Sequence, residues 1–171
     1  MPVLRHLTLG AAMVLLIAVA PAAVAEAPKV AAKAGPSDAK LVERGRYLVR
    51  IAGCNDCHTP GYPQSGGKVP EKDWLTGGQL GWHGPWGTTY PVNLRQYMQQ
   101  VTEEQWLKTA HTTQMRPPMP WFALRDMTQR DLRAIYRFIR HLGPAGETAP
   151  TYLPPGQTAK GPVVSFPQPP K

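Results

Sequence analysis

Residues 54–58 read Cys-Asn-Asp-Cys-His, and this cluster is the part of the 171-residue chain best suited to chemistry. Thiolate sulfur and imidazole nitrogen are both good ligands for transition metals. A thiol pair at this spacing can also form a disulfide or take part in redox exchange. Cys54 and Cys57 are the only cysteines in the sequence, so any thiol chemistry of this chain must use them.

Three interpretations of the cluster leave part of it unexplained. A structural zinc site needs four protein ligands, one more than the cluster supplies, and the adjacent residues Cys57 and His58 fit a tetrahedral arrangement poorly. A thioredoxin-like pair is expected after a strand in a βαβ unit, whereas the pattern before Cys54 indicates a helix. A plain disulfide accounts for both thiols but gives no role to His58.

Covalent haem attachment is the interpretation that uses all three side chains. Cys-x-x-Cys-His is the attachment pattern of c-type haem. Each thiol adds to one vinyl group of the porphyrin, and the histidine that follows binds the iron as an axial ligand. The sequence therefore predicts one haem c held through thioethers of Cys54 and Cys57, with His58 bound to the iron.

The first 25 residues have the pattern of an export signal, which favours the haem interpretation. A basic start at Arg5 precedes an apolar run over residues 7–20, and residues 23–25 read Ala-Val-Ala, as expected for a signal-peptidase site. We predict a cleaved signal peptide and a periplasmic protein; the alternative is an uncleaved membrane anchor. Exported thiols are normally oxidised, and attachment to haem explains how this pair avoids a disulfide.

Helical periodicity on both sides of the cluster indicates the elements that must position it. Apolar or small residues at 41, 45, 48 and 52 predict a helix that leads into the cluster. Thr128 opens a second amphipathic helix, which ends at Gly143-Pro144. Between these two helices, Gly and Pro residues over 59–92 predict loops, and shorter helices are predicted over 93–100 and from Thr102 to about residue 111.

Composition divides the chain into four parts. We predict a signal peptide over 1–25, a flexible Ala/Pro/Lys-rich linker over 26–37 and a folded domain over 38–143. Residues 144–171 form a Pro-rich tail with no periodic pattern, which is either disordered or laid extended over the surface.

Three stretches, RGRYLVRIAGCNDCHT, GPWGTTYPVNL and PPMPWFALRDMTQRDLRAIYRFIRHLGP, resemble bacterial class I cytochromes c with a single haem. The resemblance covers roughly residues 38–143. It implies an all-α fold of about four short helices, with long Gly/Pro loops wrapped around one covalent haem. It also implies that the first and last helices cross closely, with Gly45 facing Tyr136. A proline carbonyl, from Pro70 or Pro85, is expected to orient His58.

The second axial ligand decides the function, because a filled iron site conducts electrons and an open one binds or activates small molecules. The candidates are His83, His111, His141, Met98, Met115, Met119 and Met127. Met119 is favoured because the flanking Pro118 and Pro120 hold the backbone extended, and because it follows His58 by the separation typical of class I cytochromes c. We predict Met119 as the ligand, with Met115 or a histidine as alternatives.

With both axial positions filled, the sequence predicts a periplasmic electron carrier rather than an enzyme. Two alternatives stay open. One is the cytochrome subunit of a dehydrogenase complex, and the other is a haem protein with an open or labile distal site, either gas-binding or peroxidase-like.

The net charge of +8 predicts the kind of partner. Basic side chains fall in the segments expected around the haem, namely Lys68, Lys72, Arg95, Lys108 and Arg116. A positive ring there favours an acidic redox partner, either a dehydrogenase, an oxidase or a reductase. Export disfavours nucleic acid as a partner, and membrane contact is expected only if the signal segment stays attached.

Overall fold

The computed structural model describes residues 36–167, which are mostly helical. The helices are α1 (Pro36–Ile51), α2 (Cys54–His58), α3 (Leu94–Gln100), α4 (Glu103–Thr112), α5 (Trp121–Asp126) and α6 (Gln129–Leu142). The strands are β1 (Gly81–Gly84), β2 (Gly87–Thr89) and β3 (Val163–Ser165), in the sheet order β2-β1-β3. The expected all-α fold of about four helices therefore needs correction, since residues 36–167 form six α-helices and a small sheet.

The predicted signal peptide and residues 26–35 of the predicted linker lie outside the described residues. Helix α1 begins at Pro36, inside the range predicted as linker. Within residues 36–167, no helix combines the length and the apolar character needed to cross a membrane.

Side-chain caps begin α3, α4 and α6 close to the positions that the sequence indicated. Asn93 precedes α3 and its side chain accepts a hydrogen bond from the backbone N–H of Gln96. Thr102 and Gln105 form the predicted reciprocal capping box at α4. The Thr128 side chain accepts from the backbone N–H of Asp131 and begins α6. Each cap satisfies an N–H group that the first helical turn leaves without a partner.

Helices α1 and α6 form the main helix–helix contact, and Gly45 lies where they are closest. A Cβ atom added there would be 2.6 Å from both the carbonyl carbon of Ala134 and the Cβ of Phe138. The close crossing is present, but Gly45 faces these two residues. The expectation that it faces Tyr136 is wrong: the Tyr136 hydroxyl donates to the Val101 carbonyl at 3.0 Å.

Residues 144–167, which we name the C-terminal strap, follow an extended course along the sheet. Strand β3 pairs in parallel with β1, and the backbones of Leu153 and Thr88 exchange hydrogen bonds of 2.8 and 3.0 Å. The Phe166 ring packs 5.2 Å from the ring of Trp86, between centroids. The tail was expected to be either disordered or extended over the surface, and residues 144–167 are extended. Residues 168–171 lie outside the described residues.

Arg95 lies inside the protein, which corrects the expectation that it belongs to a surface ring. Its side chain is in the core at 4% exposure. The guanidinium donates to the carbonyls of Lys72 at 3.0 Å and Trp74 at 3.4 Å, and also to those of Leu142 and Gly143. Two of these carbonyls end α6, where a helix lacks internal donors and favours a positive charge.

We expect Arg95→Met to lower the free energy of unfolding by about 2–4 kcal/mol, because methionine fills similar space but leaves these carbonyls without donors. Urea denaturation followed by circular dichroism measures the loss. Arg50→Met, at an exposed position of α1, is the matched control and should change stability by less than about 0.5 kcal/mol. Equal stability of the two variants would contradict the role assigned to Arg95.

Candidate functional site

The Cys-x-x-Cys-His cluster forms its own short helix, set at a turn from α1. Gly53 makes this turn with a left-handed backbone, φ +71°, which glycine adopts at little cost. Cys54 and Cys57 are free thiols in α2. Burial raises the pKa of Cys54 to about 11 and also raises that of Cys57. Helix α1 precedes this cluster, whereas a thioredoxin-like pair follows a strand, so the thioredoxin-like interpretation is disfavoured.

His58 is buried, and one ring nitrogen already has a partner. Its Nδ1 lies 2.8 Å from the carbonyl oxygen of Val92, which can only accept, so Nδ1 carries the proton. Burial lowers the pKa of His58, and the bond to Val92 raises it in part. A neutral imidazole with a protonated Nδ1 leaves the Nε2 lone pair available for a metal. The orienting carbonyl belongs to Val92, so the expectation of Pro70 or Pro85 is wrong.

Hydrogen bonds of the two flanking residues, Pro91 and Asn93, hold the Val92 carbonyl in this position. The Asn93 side chain donates to the carbonyls of Ala145 at 2.8 Å and Glu147 at 2.9 Å. On the other side, the Pro91 carbonyl accepts from the N–H of Gly78 at 3.1 Å. The segment around Val92 is therefore tied both to the loop before β1 and to the C-terminal strap.

A cavity of about 700 Å³ brings the predicted site residues together. Cys54, Cys57, His58 and Met119 all line it, although Met119 follows His58 by about sixty residues. The rest of the lining is largely apolar and includes Leu94, Tyr97, Trp106, Leu124, Ile135 and Ile139. Its volume is typical of sites that hold a cofactor.

Two candidate sulfur ligands enter the cavity from residues 113–120, which we name the methionine loop. Met115 and Met119 both line the cavity and are half-buried, and Met127 lines it from the start of the connection to α6. Met98, by contrast, is fully buried in the core. The Met119 backbone N–H donates to the Arg116 carbonyl at 3.2 Å, which closes a turn inside the loop.

The other candidate histidines lie elsewhere in the structure. His83 Nδ1 is 2.9 Å from the Thr88 hydroxyl, His111 Nδ1 donates to the Arg125 carbonyl at 3.0 Å, and His141 is exposed. Among the histidines of residues 36–167, His58 alone lines the cavity. In the same part of the chain no cluster of three His, Cys, Asp or Glu side chains could hold a metal ion.

The β-hairpin formed by β1 and β2 supplies polar groups that sequence reasoning did not identify. Trp82 and Thr89 are directly opposite each other across β1 and β2, and both line the cavity. Within the described residues, Trp82 Nε1 and Thr89 Oγ1 are buried without a hydrogen-bond partner. Haem combines an apolar macrocycle with two carboxylates. An apolar cavity with two thiols, an imidazole, a thioether and unpaired donors on one wall therefore fits haem c.

Of the five basic residues expected around the haem, Arg116 is the one that lines the cavity. Lys68, Lys72 and Lys108 are exposed and do not line the cavity, whereas Arg95 is internal. The structure thus places one of these five basic residues at the cavity, and a positive ring stays a prediction.

Comparison with known proteins gives two distant relatives. The chain is 27% identical over 152 residues to one of the subunits of nicotinate dehydrogenase from Pseudomonas putida, a match that covers 82% of this chain and 12% of the relative. It is 28% identical over 123 residues to the cytochrome c subunit of the quinone alcohol dehydrogenase of Gluconobacter oxydans, which covers 65% of this chain and 23% of that relative. The chain thus spans less than a quarter of either relative. No protein-family model matches, and neither does any solved structure.

Proposed function

We propose that this chain is a periplasmic c-type cytochrome with one haem that carries single electrons between redox proteins. The observation that carries the proposal is the convergence of Cys54, Cys57, His58 and Met119 on one largely apolar cavity. The two cysteines would hold haem c through thioethers, and His58 and Met119 would be the iron ligands. Bound there, the haem supplies reversible one-electron exchange.

The residues around the cavity would support the binding of such a group. The Val92 carbonyl fixes the tautomer and orientation of the His58 ring. The apolar lining excludes water, which favours the less charged, reduced state of a bound haem, and a thioether ligand acts in the same direction. Trp82 and Thr89 would donate to carboxylates on the cavity wall formed by the hairpin. No residue is assigned a catalytic role.

We expect the protein exported from a bacterium that attaches c-type haem to keep its haem after denaturation, because the link is covalent. Haem staining of a denaturing gel and the mass of the intact chain measure this. The mass should correspond to one haem per chain and loss of residues 1–25. The double variant Cys54→Ala, Cys57→Ala should lose the stain, while Met115→Ala, which keeps both thiols, should retain it. A wild-type chain without covalent haem would contradict the proposal.

The second candidate function is the cytochrome subunit of a dehydrogenase complex. It is favoured by the relatives, since one is named as a dehydrogenase subunit and the other as a dehydrogenase cytochrome c subunit. On this proposal the electron donor is a dehydrogenase, and an acidic surface on it would meet Lys68, Lys72, Lys108 and Arg116. Exposed charge pairs steer encounters and are screened by salt.

Purification from the native host separates the two candidates. A stable subunit should co-purify with a flavin- or quinone-containing dehydrogenase, whereas a free carrier should elute alone. For a free carrier, the rate of reduction by the donor should fall as salt is raised. A rate that does not depend on salt would contradict the acidic partner.

A further inference from the structure

The C-terminal strap contacts the methionine loop through the aromatic side chain of Tyr152. Its hydroxyl donates to the Trp86 carbonyl at 2.7 Å, in the turn between β1 and β2. The guanidinium carbon of Arg116 lies 3.9 Å from the centre of its ring. Cation–π contacts are effective within about 6 Å, so Tyr152 links the hairpin to Arg116.

Arg116 connects this contact to Met119. Arg116 lines the cavity, and its carbonyl accepts the Met119 N–H at 3.2 Å. A continuous series of contacts therefore runs from the hairpin through Tyr152 and Arg116 to the backbone of Met119.

The two ends of this series differ in how they are fixed. The strap is held along its length: Phe166 donates its N–H to the His83 carbonyl at 2.8 Å, β3 pairs with β1, and Leu153 pairs with Thr88. In the methionine loop, three prolines over 117–120 have no N–H group to donate. The strap is thus the rigid partner, and the loop is the part that gains a fixed position.

We propose that Tyr152 is a positioning residue that clamps the methionine loop and keeps Met119 in place to bind the iron. The inference rests on the proposed function and extends it to the tail. Tyr152 would make it harder for an external ligand to replace Met119, although Tyr152 itself does not contact the iron site.

Imidazole titration of the oxidised protein tests the clamp, because imidazole competes with a methionine ligand and removes the weak sulfur-to-iron charge-transfer band. Tyr152→Leu should bind imidazole about fivefold more tightly, as expected for the loss of one partly desolvated cation–π contact. Tyr152→Phe keeps the ring over Arg116 and should show a smaller effect. Arg116→Gln should match Tyr152→Leu.

A double-mutant cycle distinguishes the clamp from a general loss of stability. Tyr152→Leu with Arg116→Gln should bind imidazole no more tightly than either single variant, since both remove the same contact. Additive effects, or an affinity unchanged in Tyr152→Leu, would overturn the inference. Tyr47→Leu, an exposed tyrosine on α1, is the control and should leave the affinity unchanged. A wild-type protein without the charge-transfer band would instead reject Met119 as the ligand, and with it the proposed site.

Discussion

Replacing Met119 by alanine is expected to abolish the sulfur-to-iron charge-transfer band and to let carbon monoxide bind the reduced protein at neutral pH. The variant removes the sulfur that we propose fills the second axial position, so the site becomes accessible to small molecules. The reduction potential should fall by on the order of 0.1–0.3 V, within the ~0.8 V range that axial ligands span. Optical spectra of both redox states and a potentiometric titration measure these changes.

Met115→Ala is the matched control, because Met115 lies in the same loop, lines the same cavity and is also half-buried. It should keep the band, exclude carbon monoxide and leave the potential nearly unchanged. The reverse pattern would assign the ligand to Met115. Ready binding of carbon monoxide by the wild-type protein would favour the gas-binding or peroxidase-like alternative over an electron carrier.

Gly45→Ala is expected to lower the free energy of unfolding by about 3 kcal/mol or more. Helix propensity alone would favour alanine by about 1 kcal/mol. The added methyl group, however, would meet the backbone of Ala134 and the Cβ of Phe138, which cannot move aside as a flexible side chain can. Overpacking a close contact of this kind costs about 1–3 kcal/mol when neighbours can yield. Here α1 and α6 would have to separate.

Thermal and urea unfolding of the haem-loaded protein measure the effect. Gly161→Ala is the control, because a Cβ at that exposed position would meet its nearest neighbour, the Gln79 carbonyl oxygen, at an ordinary 3.7 Å. Its stability should lie within about 0.5 kcal/mol of the wild type. If Gly45→Ala is as stable as Gly161→Ala, the close crossing of α1 and α6 does not need glycine.

The helices could be predicted from the sequence because their signals are local. Thr102 with Gln105, and Thr128 with Asp131, lie within one helical turn, and their caps are present in the structure. The extra helix α5 has no such signal, since it has six residues and follows Pro120 without a side-chain cap. The sheet could not be predicted either: β1 and β3 are short strands brought together from distant parts of the chain, and such pairing depends on tertiary context.

The candidate site was likewise predictable from the sequence only in part. Side-chain chemistry and spacing identified Cys54, Cys57 and His58, and flanking prolines identified Met119; the structure brings all four to one cavity, and their roles stay predictions. Trp82 and Thr89 could not be paired beforehand, because opposite positions in a hairpin depend on its register. Arg95 was misplaced because an arginine bound to backbone carbonyls looks, in sequence, like any surface cation.

The acceptor for His58 has a consequence for mutation, because it is a main-chain atom. Every amino acid carries a backbone carbonyl, so no codon change at position 92 deletes the acceptor. Val92 is 51% exposed, and the hydrogen bond to His58 does not involve its side chain. Inserting or deleting one residue beside it would, however, bring a different carbonyl to Nδ1. Position 92 can therefore change its side chain without losing this acceptor, and what the stretch must preserve here is its length.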